Sequence, residues 1–94
     1  MVLMYRNSQQ ITEEILSSIT EAGQEGVIIT KIMRKSNLPY SRMNIFIKKL
    51  IGGELINKIE TKGKVTFIIT DKGRIYLDEY RKFSNIAESF GLDM

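Results

Sequence analysis

The chain has 94 residues, enough for one domain around one modest hydrophobic core. Hydrophobic residues make up 43% and charged residues 27%, as in ordinary globular domains, and no apolar run approaches the ~18–20 residues that span a bilayer. The net charge is +3, and both cysteine and histidine are absent, which excludes disulfides, thiol chemistry, sulfur-built zinc sites and the commonest general base.

The opening residues, Met1 to Asn7, lack the cationic-then-apolar layout of a secretory signal. A first helix is predicted from Ser8 to Ala22, capped by Ser8 or Thr12, with Glu13 and Glu14 at the positive end of its dipole. Ile11, Ile15, Leu16 and Ile19 share one face of it, and Gly23 and Gly26 end it. Val27-Ile28-Ile29 is long enough for a short strand. Thr30 reads as the N-cap of a short helix from Lys31 to Ser36, with Ile32 and Met33 turned inward. Asn37-Leu38-Pro39 is a turn, because proline disfavours helix in the residue before it. A third helix starts at Tyr40 or Ser41 and stops at Gly52-Gly53. Met43, Phe46, Ile47, Leu50 and Ile51 form its apolar stripe, opposite Ser41, Arg42, Asn44, Ile45, Lys48 and Lys49. Leu55 to Thr61 and Val65 to Ile69 read as two strands joined by the basic turn Lys62-Gly63-Lys64. Thr70 caps a last helix, Asp71 to Ser89. Two helices around a tight turn, followed at once by a hairpin, make a winged helix-turn-helix, mainly α with a small β-hairpin (α+β). The expected organisation is a winged-helix unit over 8–70 and a long C-terminal dimerisation helix over 71–90.

Charge is distributed unevenly. Residues 1–30 carry one base and four acids, a net of −3, and residues 75–94 carry two bases and four acids, a net of −2. Residues 31–74 between them carry eleven bases and three acids, a net of +8. A basic block between acidic flanks is the footprint of a polyanion-binding surface.

Five segments carry a resemblance: Thr30-Lys31-Ile32-Met33, Asn37-Leu38-Pro39-Tyr40, Phe46-Ile47-Lys48-Lys49-Leu50, Gly53-Glu54-Leu55-Ile56 and Thr70-Asp71-Lys72-Gly73-Arg74. In this order and spacing they resemble the archaeal ArnR-like winged helix-turn-helix DNA-binding family, which includes small dimeric ten-kilodalton chromatin proteins. The resemblance covers about residues 11–83. At Gly53-Glu54-Leu55 the family more often has lysine-glycine-leucine, and the turn is expected to survive the change. The resemblance implies DNA binding, an archaeal intracellular setting (cytoplasmic and nucleoid-associated) and dimerisation through the last helix.

On that reading the helix over 40–51 enters the major groove of double-stranded DNA. Arg42 and Asn44, near its start, are the candidates to reach base edges, arginine toward guanine and asparagine toward adenine. Ser41 and the first-turn amides suit a phosphate, and Lys48 and Lys49 the backbone. Lys31, Arg34 and Lys35 on the preceding helix would position rather than specify. Lys62 and Lys64 at the wing tip would meet phosphates or the adjacent minor groove. Tyr40, just after the proline, is expected in the core.

In the last helix Gly73, Tyr76, Tyr80, Phe83, Ala87 and Phe90 are spaced 3, 4, 3, 4 and 3, a heptad-type seam. Tyr76, Tyr80, Phe83, Ala87 and Phe90 are the expected homodimer interface, with Leu77 packing back on the winged unit; the alternative is a seam folded across the first helix. The acids of the first helix are expected to face solvent without pairing to another element. With no glycine-rich phosphate loop either, the chain reads as no enzyme, with no cofactor, no metal and no membrane partner. The competing role is a winged-helix protein–protein interaction module without base contacts. Within DNA binding, transcriptional regulator and broadly binding chromatin protein both remain open.

Overall fold

In the computed structural model, which describes residues 6–91, helix α1 spans Ser8–Ala22. The opening stretch read for a signal lies mostly outside the described residues. The cap of α1 is Asn7 rather than Ser8 or Thr12. Its side chain accepts from the Gln10 amide at 2.8 Å, and the Asn7 amide donates to the Gln10 side chain at 2.9 Å, a reciprocal capping box. Ile11, Ile15, Leu16 and Ile19 are buried on one face, as their spacing predicts.

A short 3-10 turn over Gly23–Glu25 leads to α2, Ile29–Ser36, and α3, Tyr40–Gly52. Strands β1, Ile56–Thr61, and β2, Lys64–Ile69, form the hairpin, and α4, Asp71–Ser89, closes the chain. The strand expected at Val27–Ile29 shrinks to one residue. Val27 exchanges both backbone hydrogen bonds with Phe67, at 3.0 and 2.9 Å. The chain then turns into α2 one residue before Thr30, so the N-cap is Ile28, with no side-chain cap, rather than Thr30. Phe67 thus pairs with Lys58 in the hairpin and with Val27 outside it.

The turn between α2 and α3 is set by Asn37, whose backbone is left-handed (φ 52°), a conformation asparagine tolerates well. Leu38, buried, anchors the turn in the core, and its amide donates to the Met33 carbonyl at 3.2 Å. The hairpin turns on Lys62 and Gly63, both at positive φ (51° and 76°), as a two-residue loop between right-twisted strands demands. One core joins all elements: α1, Val27, Ile32, Leu38, Met43, Ile47, Leu50, Ile56, Phe67, Ile69 and Leu77. Leu77 packs back on the winged unit, as expected.

The joint between hairpin and α4 explains the Thr70-Asp71-Lys72-Gly73 segment. The Thr70 hydroxyl accepts from the Gly73 amide at 2.9 Å, capping α4, and donates back toward the carbonyls of Glu54 (2.7 Å) and Leu55 (3.0 Å). The Thr70 amide also donates to the Leu55 carbonyl, at 3.1 Å. A Cβ on Gly73 would lie 2.1 Å from that same oxygen, so only glycine admits this approach. The turn before β1 survives its departure from the family pattern, with Glu54 itself carrying the left-handed conformation (φ 63°).

Candidate nucleic-acid interface

Helix α3 buries Met43, Ile47 and Leu50 and holds Phe46 partly buried, which fixes the direction of the opposite face. Ser41, Arg42, Ile45, Lys48 and Lys49 are exposed there. Asn44 is half-buried on the flank of the helix. The helix starts at Pro39 without a side-chain cap, so its first amides and the positive end of its dipole open toward the outside. Tyr40 departs from expectation. It is 58% exposed, because at the first helical position it lies beyond the edge of the core that Met43 begins.

Lys31, Arg34 and Lys35 are exposed on α2, and Lys62 and Lys64 are exposed at the hairpin tip. Ion pairing divides the bases into two groups. Among the described residues, Lys31, Arg34, Arg42, Lys48, Lys49, Lys62 and Lys64 have no carboxylate within ion-pairing distance, and nor has Lys72 at the start of α4, which sequence reasoning did not single out. Lys58 pairs with Glu60 at 3.3 Å and Arg74 with Asp71 at 2.9 Å, both outside the expected contact set. Lys35 is the exception within that set. Its ammonium is bonded to Glu21 of α1, and this bond, with Lys31 contributing more weakly, holds the Glu21 carboxyl below the usual carboxylate range. Lys35 therefore enters any polyanion contact already engaged.

The acids of the first helix are thus paired, contrary to the expectation for them. Besides Glu21, Glu14 pairs with Arg6, and Glu13 accepts from Arg81 of α4 at 3.3 Å while Arg81 also donates to Ser17 at 2.6 Å. These bonds tie α4 to α1. Along the seam of α4, Tyr76 is partly buried against the core and Ala87 is buried, whereas Phe83 (55%) and Phe90 (74%) are exposed, as are Ile75 and Ile86 off the seam. Burial, then the nearby Glu13 carboxylate and Tyr76, pushes the Tyr80 hydroxyl above the usual phenol range. A groove of about 610 Å³ runs between α1 and α4, lined by Gln9, Tyr76, Tyr80, Phe83 and Ala87 among others. No helix among the described residues is long and apolar enough to cross a membrane, and no three metal-ligating side chains cluster among them.

The same arrangement of elements recurs in solved structures. Sso10a-2, a DNA-binding protein from Sulfolobus solfataricus, superposes with a TM-score of 0.77 at 20% identity, over 90% of this chain and 85% of that one. AF1382 from Archaeoglobus fulgidus gives 0.70 at 23% identity, over 87% and 91%. A MarR family protein from Bacillus stearothermophilus gives 0.66 at 17%, over 93% of this chain and 63% of the other. At these identities the likeness establishes the fold. A search of curated protein sequences gave no match. The sequence profile of a family described as winged helix-turn-helix matches residues 5–88, nearly the whole chain. This chain belongs to the winged helix-turn-helix family.

Proposed function

We propose that the chain is a double-stranded DNA-binding protein without catalytic activity, acting in the cytoplasm as a transcriptional regulator or nucleoid-associated protein. Helix α3 enters the major groove and the wing tip at 62–64 rests on the backbone or in the adjacent minor groove. The observation that carries this reading is the unpaired bases. Arg42, Lys48 and Lys49 on the outward face of α3, Lys31 and Arg34 on α2, and Lys62 and Lys64 on the wing all lack a carboxylate partner among the described residues. Unpaired surface bases release counterions when they meet phosphates, which is the main source of affinity for a duplex.

Arg42 reaches base edges near the start of α3, with Asn44 beside it. Ser41 and the uncapped amides hold a phosphate, and Lys48 and Lys49 follow the backbone. Lys31, Arg34 and Lys35 set the register. Over 71–90, α4 joins two copies into a homodimer through Tyr80, Phe83 and Phe90, with Tyr76 and Ala87 bracing the seam. The support for this is the exposure of Phe83, Phe90, Ile75 and Ile86 on one helix, more apolar surface than a small monomer usually leaves uncovered.

An anisotropy titration of a labelled duplex tests the first part. With about six to eight phosphates neutralised, log K should fall with log salt at a slope of about −5 to −7. Undiminished affinity between low and moderate salt overturns groove binding, and no binding of any duplex favours the protein-interaction role. Sedimentation at micromolar concentration tests the second, and a monomer removes the homodimer.

A further inference from the structure

Resting on the DNA-binding reading, we propose that Ile45 is a specificity-determining residue that reads the C5-methyl group of thymine in the major groove. Ile45 lies nearly opposite the buried stripe of Met43, Ile47 and Leu50, at the centre of the outward face of α3. Ser41 precedes it by one turn, Lys48 and Lys49 follow it by about one turn, and Arg42 flanks it; all four are exposed. The isoleucine is itself 55% exposed. A helix seated by the bases around it presents its central residue deepest in the groove, so the group that meets the base edges first is a branched aliphatic chain. Aliphatic carbon has one apolar partner on the major-groove edge of the four base pairs, the thymine methyl. Charge complementarity brings the duplex to this face, and Ile45 adds a preference for thymine at the base step under it. The polar neighbours pair with donors and acceptors, and the methyl group is neither, so they do not read it.

The test isolates one carbon atom. A random duplex pool is enriched on the wild-type protein, and the enriched pool is then amplified once with thymidine and once with deoxyuridine, which differ only by the methyl. Wild type should bind the uracil pool more weakly, by about fourfold for each methyl it contacts. Ile45→Ala should bind the thymine pool about as weakly as wild type binds the uracil pool, and should not distinguish the two. Arg42→Ala should keep the uracil penalty while losing affinity overall. The alanine variant removes an exposed side chain, and an unchanged melting temperature confirms that it folds. Equal wild-type affinity for both pools, or a full uracil penalty retained by Ile45→Ala, overturns the assignment of Ile45 alone. Failure to retain any duplex removes the DNA-binding reading, and this one with it.

Discussion

Replacing Gly73 by alanine sets two physical effects against each other. Gly73 lies in the first turn of α4, and helix propensity alone predicts that alanine there stabilises by up to about 1 kcal/mol. The joint predicts the reverse. The new Cβ would stand 2.1 Å from the Leu55 carbonyl oxygen and 3.0 Å from two Ile69 side-chain carbons. Relief requires the Leu55 oxygen to retreat by roughly 1 Å, which overpacking places at about 1–3 kcal/mol. That oxygen accepts from the Thr70 amide at 3.1 Å and, at 3.0 Å, takes the weaker branch of the hydroxyl donation that Thr70 shares with Glu54, so the same movement breaks one hydrogen bond and half of another. Their loss adds about 1–3 kcal/mol more. The net expectation is a destabilisation of about 3 kcal/mol, a fall in melting temperature of about 12–24 °C for a domain of this size. Gly52→Ala is the control, since a Cβ there meets nothing within 4 Å, and its melting temperature should hold or rise by a few degrees. Thermal melts by circular dichroism at one fixed protein concentration decide the matter. A Gly73→Ala variant that melts at or above wild type would refute the account of the joint.

Three further outcomes follow from single residues. Glu54→Gly should raise stability by about 1 kcal/mol, read from denaturant unfolding, because Glu54 holds a left-handed backbone that glycine adopts freely; an unchanged midpoint would show that no strain is held there. The Glu21 carboxyl is held below its ordinary range by Lys35, so the pair should contribute stability at neutral pH and lose it as the pH falls through that lowered range and Glu21 is protonated. Melts of wild type and Glu21→Gln should accordingly differ at pH 7 and converge in acid once Glu21 is protonated, and a constant offset would exclude the pairing. Arg42→Ala should alter which sequences are enriched from a random duplex pool, whereas Lys62→Ala should weaken all sequences alike and reduce the salt slope by about 1; identical behaviour of the two would remove base reading by Arg42.

Much of the fold was legible because it rests on local spacing. The Ile11–Ile15–Leu16–Ile19 face and the Thr70 cap each place an element within a residue or two of where it lies. The misses arise where a distant partner decides. Thr30 has the chemistry of an N-cap, yet Val27 pairing with Phe67, forty residues on, sets the course of the chain and gives that position to Ile28. Tyr40 follows a proline and looks like core, but only the placement of α3 shows that its first turn overhangs the packed region. The Lys35–Glu21 bond joins separate helices fourteen residues apart and leaves no mark in the local pattern. On the candidate interface, the face of α3 could be read from its amphipathic period, whereas the engagement of Lys35 required the packing of α1 against α2.

The hairpin is secured along one side by Val27 at Phe67 and at its base by Thr70 on Leu55. The part left unbraced is its far end around Lys62 and Gly63. A wing built this way has little freedom to surrender when it settles against another molecule. On the proposed function, docking then costs the braced base of the wing little of the entropy that a floppy arm would lose, and any ordering on contact is confined to its tip.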